Sequence, residues 1–261
     1  MKRALYQIDA FTSTPFGGNP AAVCRLDEWL DDATLLAIAA ENNLSETAYI
    51  IDRGAHHDLR WFTPTTEVAL CGHATLASAH LIMNVLDRDR TSVSFLTRQS
   101  GVLTVEREDD WLWMDLPAAP AAPCATAATV ERALGQTPAA LLAASRDYLA
   151  VLANEDAVRA LDPDRAALMA LDRDGLIVTA PGESADFVSR FFAPRLGVFE
   201  DPVTGSAHCT LVPYWAERLG RDELAAVQIS SRGGELRCAA LGERVKMAGR
   251  CVLYLEGTIH V

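Results

Sequence analysis

The sequence predicts an α+β protein built as two similar halves, and three observations carry that expectation. Segments that alternate apolar and polar side chains with a period of two are interspersed with segments of helical spacing. A run rich in proline and alanine, Pro117-Ala118-Ala119-Pro120-Ala121-Ala122-Pro123, lies close to mid-chain. The chain also matches itself across that run. At 261 residues, half of them apolar, it is long enough for one or two packed cores, and a disordered or fibrous chain is excluded.

The elements follow in order. Leu5 to Phe11 alternates as a half-buried strand should, and Phe16-Gly17-Gly18-Asn19-Pro20 supplies turn chemistry before a second short strand, Ala21 to Cys24. Asp31 and Asp32 are candidate N-caps for a helix that carries Leu35, Leu36, Ile38 and Ala39 and ends near Asn42-Asn43. Strands are expected over Thr47 to Ile51 and Asp58 to Phe62. After Gly72-His73-Ala74, the positions Leu76, Ala77, His80, Leu81 and Val85 have helical spacing. Three strand-like segments lie between Ser92 and Leu116. Residues 117–123 contain nothing that packs a core, which divides the chain into 1–116, a linker, and 124–261. In the second part, strands are expected over Tyr148 to Leu152, Leu176 to Thr179 and Phe187 to Phe192. A long helix begins near Gly205-Ser206-Ala207 and stops at Leu219-Gly220. Strands around Val227 to Ser230, Glu235 to Ala239, Glu243 to Met247 and Cys251 to Leu255 follow, the last a candidate to pair with the first half.

Charge and composition narrow the function. With 23 Lys and Arg against 35 Asp and Glu, the formal net charge is -12, which opposes binding to nucleic acid or anionic lipid. No apolar run is long enough for a spanning helix, and Met1-Lys2-Arg3 is followed at once by Gln7 and Asp9, so neither an anchor nor a signal peptide is expected. The 6 cysteines are scattered without a CxxC pair, which suggests a reducing cytoplasm and neither a zinc knuckle nor a disulfide scaffold. No Walker loop is present and Gly17-Gly18-Asn19 lacks the dinucleotide spacing, so no metal, nucleotide or flavin cofactor is expected. A homodimer is the commonest soluble assembly, although no surface for it is identified.

The self-match sets Phe62-x-Pro64 and Glu67-Val68-Ala69-Leu70-Cys71-Gly72-His73-Ala74 beside Phe192-x-Pro194 and Glu200-Asp201-Pro202-Val203-Thr204-Gly205-Ser206-Ala207. The Glu-to-Gly spacing is identical, and each copy leads into an apolar helix. Two fused, duplicated domains would give this pattern. Unpaired N–H groups and the positive dipole end of each helix attract anions, and Gly72 and Gly205 let a ligand come close. Tight helix packing is the other reading of those glycines.

Four segments, Phe16-Gly17-Gly18-Asn19-Pro20-Ala21-Ala22-Val23, Asn43-Leu44-Ser45-Glu46-Thr47-Ala48, Cys71-Gly72-His73-Ala74-Thr75 and Glu200 to Ala207, together resemble the phenazine-biosynthesis (PhzF-like) family. The likeness extends from residue 6 to about 256. It implies a diaminopimelate epimerase-type fold: two pseudo-symmetric halves, each a curved, mostly antiparallel sheet wrapped round a central helix, with the active site in the cleft between them. It implies a cofactor-independent isomerase that moves a proton on a small carboxylated substrate, a dihydro-hydroxyanthranilate in the best-known member. Carried over residue by residue, it places the acid/base carboxyl on Glu46, further catalytic groups on His73 and Asp201, and substrate-binding positions on Asn19, Gly72, Gly205 and Ser206.

The chemistry needs a carboxyl made more basic by burial, and Glu46 stands where a helix end meets an apolar strand. Read without the family, Glu46 is a solvated strand end, His73 a satisfied structural histidine, and Asp201 a turn former before Pro202; the surrounding motif reverses the first of these. Gly233-Gly234 suits either a hairpin turn or a close backbone approach to the substrate. Epimerases of the same fold use two opposed thiols. Here Cys71 is retained but its repeat partner is Thr204, which disfavours a two-thiol racemase. A racemase with Cys71 as one base, and a silent binding homologue, stay open as alternatives. Cys209 is expected in the core. Ala69 departs from the acidic or proline residue common in the family, with a consequence for substrate shape rather than for catalysis.

Overall fold

The alternating N-terminal stretch forms β1 (Lys2–Ala10), and the turn after it leads to β2 (Asn19–Leu26) antiparallel to β1. The computed structural model describes residues 2–125 and 128–261. These fall into two units: one ends at Asp115 and takes in Ala248–Val261, the other is Leu116–Met247.

In the first unit, helix α1 (Asp32–Asn42) starts where Asp31 accepts the backbone N–H of Thr34 at 2.9 Å. It stops at Asn43, whose φ of 50° is left-handed. Leu35 and Ile38 pack this helix onto Cys24, Tyr49, Ile51 and Phe62, and each such buried side chain stabilises the fold by about 1.5–3 kcal/mol. The Tyr49 hydroxyl donates to the Leu35 carbonyl at 2.6 Å and pins helix to sheet. Strands β3 (Glu46–Asp52), β4 (His57–Phe62) and β5 (Glu67–Val68) follow. Helix α2 (Gly72–His80), buried from His73 to Ala79, then continues into a π-helical turn over Leu81–Leu86. Strands β6 (Ser92–Thr97), β7 (Val102–Glu108) and β8 (Trp111–Pro117) come next.

The second unit contains β9 (Ala122–Pro123), α3 (Ala128–Leu134), β10 (Ala140–Ala143), β11 (Asp147–Val151), α4 (Glu155–Arg159), α5 (Arg165–Met169) and β12 (Gly175–Pro181). It continues through β13 (Phe187–Ala193), β14 (Val198–Asp201), α6 (Gly205–Leu219), β15 (Glu223–Gln228), β16 (Gly234–Leu241) and β17 (Arg244–Gly249). Helix α6 ends at Gly220, whose φ of 66° is open to glycine at no steric cost. The proline- and alanine-rich stretch is bound within this unit: Ala118 donates to the Glu243 carbonyl, Ala119 to the Cys209 carbonyl, and Ala122–Pro123 pair with β10. The last strand, β18 (Cys251–His260), runs antiparallel to β1 along its whole length, which is why it belongs to the first unit.

The two units repeat one topology. In the first, β2 is parallel to β3, β3 antiparallel to β4, β4 antiparallel to β5 and parallel to β6, and β6 antiparallel to β7. In the second, β11 is parallel to β12, β12 antiparallel to β13, β13 antiparallel to β14 and parallel to β15, and β15 antiparallel to β16. Side chains repeat as well. Arg60 forks onto Glu67 at 2.7 and 2.8 Å and lies over Phe62, while Arg190 forks onto Glu200 at 2.7 and 3.0 Å and lies over Phe192. The sequence match is therefore a structural duplication, and the fold is α+β with mostly antiparallel pairing around a buried helix in each unit. Among the described residues, no helix is long and apolar enough to cross a membrane, and the 6 cysteines are free thiols.

One packing constraint fixes the entry to the first loop. Phe11 is fully buried with a φ of 64°, unusual for a bulky residue, and its ring fills the space where a Cβ on Gly249 would lie 2.4 Å away. Gly249→Ala is expected to destabilise the protein by about 1–3 kcal/mol in denaturant unfolding; an unchanged midpoint would contradict this packing.

Candidate active site

Sheet pairing and one helix start bring four side chains of the first unit together. Asn19 opens β2 and Glu46 opens β3, two residues apart in the parallel register, since Ala21 pairs with Glu46. Cys71 is the N-cap of α2, Gly72 its first residue and His73 its second. Cys71 makes no side-chain capping bond, so the first-turn N–H groups are not satisfied by the cap. His73 is 5% exposed and Asn19 fully buried. The Asn19 amide nitrogen lies 3.2 Å from His73 Nδ1, and Cys71 Sγ lies 3.5 Å from the same atom. On the other side of the ring, His73 Nε2 lies 3.2 Å from Glu46 Oε2, in contact but without the alignment of a hydrogen bond. The Glu46 side chain is 19% exposed.

Burial pushes the His73 imidazole down to about 3, so the ring is neutral at physiological pH. A neutral imidazole has one donor and one acceptor nitrogen. With the Asn19 amide donating, Nδ1 accepts and the proton stays on Nε2, facing Glu46. A ring so reluctant to take a proton is also a poor partner for withdrawing one from the Cys71 thiol. Glu46, Cys71 and His73 each offer one metal-ligating atom within 4.8 Å of the others. The thiol, however, faces Nδ1, shared with the Asn19 donor, whereas the carboxylate faces Nε2, so the set does not converge on one imidazole nitrogen.

In the second unit, Asp201 ends β14 and Thr204 is the N-cap of α6, again with no side-chain capping bond. Thr204 Oγ1 donates instead to Asp201 Oδ2 at 2.5 Å. Gln228, wholly buried, accepts the Thr204 N–H at 2.9 Å and donates to the Asp201 carbonyl at 2.8 Å. Gly205 is buried and Ser206, the counterpart of His73, is exposed at the helix start. Thr75 and His208 hold matching places one turn into each helix. Thr75 Oγ1 donates to the Cys71 carbonyl at 2.6 Å, and His208 Nδ1 lies 2.8 Å from the Thr204 carbonyl. Burial holds His208 near 4, neutral, with its Nε2 unbonded among the described residues.

A family model described as phenazine biosynthesis-like protein, PhzC-PhzF, matches residues 8–257. The chain belongs to this family. An uncharacterized isomerase of Pseudomonas aeruginosa is 52% identical over 261 residues, covering 100% of both chains. The crystal structure of a phenazine biosynthesis protein of the PhzF family from Enterococcus faecalis matches with a TM-score of 0.96 at 43% identity and 100% coverage of both chains. A hydroxyproline epimerase from Agrobacterium vitis, 10% identical with a TM-score of 0.59 over 99% of this chain and 92% of that one, shares the fold alone. As a PhzF-like protein, the chain is an isomerase.

Of the positions singled out in the sequence, Asn19, Glu46, Gly72 and His73 lie together in the first unit, with Cys71 beside them. Asp201, Gly205 and Ser206 lie together at the start of α6 in the second. Sequence motifs do not single out Gln228 or His208. Gln228 has no local motif to mark it, and only strand pairing carries it to the helix start. His208 sits one turn past the Gly-Ser step and was legible as a buried-face helical position. Cys209, as expected, is in the core, its thiol pushed up to about 12 by burial. Gly233, with a φ of 66°, belongs to the turn leading into β16, and its N–H is taken by Ser230 Oγ at 3.1 Å.

Two of the buried histidines, His73 and His208, have a pH consequence. Unfolded, each takes up a proton near its ordinary value of 6.5, whereas folded His73 and His208 resist until about 3 and 4. The stability that each of these neutral rings contributes is therefore complete above pH 6.5 and is lost below it by about 1.4 kcal/mol per pH unit. Denaturant unfolding between pH 7 and 4.5 should show that loss, and His208→Gln should shallow the slope by about one proton. A flat profile over this range would contradict the buried neutral rings.

Proposed function

We propose that the protein is a cofactor-independent isomerase in which Glu46 takes a proton from one carbon of a small carboxylated substrate and returns it to another. The observation that carries this reading is the Glu46 carboxyl set 3.2 Å from a buried, neutral imidazole. An imidazolium there would hold Glu46 as a stabilised anion and weaken it as a base; a neutral ring brings no such charge. The proton on Nε2 faces Glu46 across 3.2 Å without an aligned hydrogen bond, which leaves the carboxyl able to cycle between carboxylate and acid. The C–H bond breaks with its electron pair left on the substrate, the proton passes to Glu46, whose partly exposed carboxyl exchanges it with solvent, and Glu46 then delivers a proton to a carbon further along the delocalised anion. Atoms and charge balance without an oxidant or a second substrate.

The uncapped start of α2, with the Gly72 and His73 N–H groups, is the proposed seat for the substrate carboxylate, where the helix dipole favours negative charge. In this reading Asn19 helps to shape that seat, Asp201 orients the substrate and assists proton movement, and Gly205 and Ser206 supply the corresponding helix start of the second unit.

A racemase using Cys71 as base is the second reading, since the thiol lies 3.5 Å from His73. Two observations weigh against it. The thiol faces a neutral ring that does not readily accept its proton, and the Thr204 hydroxyl is committed as a donor to Asp201.

The test is deuterium uptake at carbon in heavy water, with a panel of small carboxylates led by a dihydro-hydroxyanthranilate. Glu46→Gln should lower uptake at least about 100-fold with the fold intact, and Cys71→Ser should retain most of it. Uptake that survives Glu46→Gln and is lost in Cys71→Ser would transfer the base to the thiol and overturn the proposal.

A further inference from the structure

Gln228 closes β15 with its side chain wholly buried, and its amide has a single permitted orientation. Oε1 accepts the Thr204 backbone N–H at 2.9 Å, so Nε2 lies on the other side, where it donates to the Asp201 carbonyl at 2.8 Å and to Thr204 Oγ1 at 3.1 Å. A threonine hydroxyl has one hydrogen. Because its oxygen receives the amide, that hydrogen goes to Asp201 Oδ2, at 2.5 Å, in a short charge-assisted bond. The sequence of donors therefore runs one way, from amide to hydroxyl to carboxylate, and its direction is fixed at the start by a main-chain N–H that cannot be reversed.

We propose that Gln228 is a positioning residue which, through Thr204, aims the Asp201 carboxylate for its work on the substrate. The proposal rests on the reading of Asp201 as a functional group given above. Asp201 itself is half-buried at the end of a short strand, and the Thr204 hydroxyl is the donor that meets its Oδ2.

The duplication supplies an internal control. By strand register, Val68 stands in the first unit where Asp201 stands in the second, and Thr97 stands where Gln228 stands. Thr97 does not reach the α2 start: its hydroxyl closes its own turn onto the Gly101 carbonyl at 2.8 Å. The same topology is thus built without a buried glutamine. The amide accompanies the carboxylate, so the fold alone does not require it.

The experiment uses the full chain with Asp side-chain carboxyls labelled in 13C, the Asp201 resonance being assigned by Asp201→Asn. Thr204→Val removes the hydroxyl at nearly constant volume, Gln228→Leu removes the amide, and Thr204→Ser restores a hydroxyl. At neutral pH, Thr204→Val and Gln228→Leu should each shift the Asp201 carboxyl resonance and lower deuterium uptake roughly 10- to 100-fold, while Thr204→Ser returns both close to the parent. Circular dichroism melts report whether each variant folds. If Gln228→Leu does not fold, the role of the amide is read from Gln228→Glu, which keeps the acceptor for Thr204 N–H but removes the donor and should shift the resonance in the same way. An unmoved Asp201 resonance in folded Thr204→Val, or in the folded Gln228 variants, would overturn the proposal. Failure of the Glu46 reading looks different: uptake would ignore Glu46→Gln while the Asp201 resonance still answered to Thr204 and Gln228.

Discussion

The arrangement depends on an imidazole that burial keeps uncharged. His73 sits in the first turn of α2, enclosed on every side, with Asn19 at one ring nitrogen and Glu46 at the other. Charging that ring inside the unit would cost several kcal/mol, and the protein avoids the cost by leaving it neutral. From this follow the tautomer set by Asn19, the basic character proposed for Glu46 and the inertness argued for Cys71. The elements around the ring serve to hold it there: α1 ends in a left-handed Asn43 so that β3 can begin at Glu46, and β5 hands the chain to the Cys71 cap.

The duplicated units show which features belong to the architecture and which to chemistry. Both keep the forked arginine–glutamate pair and the aromatic ring beneath the arginine, and both keep a helix whose cap residue makes no capping bond. These are shared requirements of a strand that turns into a buried helix. The copies diverge at the helix start itself. Cys71 and His73 in one correspond to Thr204 and Ser206 in the other, and strand register sets Glu46 against Gly175. A Cβ at Gly175 would meet the Phe191 ring at 2.6 Å and the Asp147 carboxylate oxygen at 2.9 Å, so the second unit leaves no room at this position for a glutamate side chain. A duplicated scaffold has thus been specialised by a handful of substitutions at equivalent sites.

Much of this was legible in the sequence, for physical reasons that differ between elements. Strands with one exposed face, such as β1, announce themselves by alternation, and α6 carries both a glycine start and a glycine stop. The short helices α4 and α5 leave no signature in the sequence, because 5 residues give too little periodicity to see. The extension of α2 as a π-helical turn was also hidden, since its apolar spacing is that of an ordinary helix. Membership of β18 in the first unit depends on pairing between the two ends of the chain, which spacing along the sequence only hints at. At the site, motif residues were legible one by one. Their contacts were not, because the Asn19–His73 and Gln228–Thr204 bonds join residues 54 and 24 positions apart.

The most direct measurement is the ring 15N spectrum of His73 in this chain, labelled at histidine and assigned by His73→Gln. The account predicts a neutral ring at physiological pH, protonated at Nε2 and bare at Nδ1, that stays neutral well below pH 6. An imidazolium at neutral pH, or a proton on Nδ1, would contradict it.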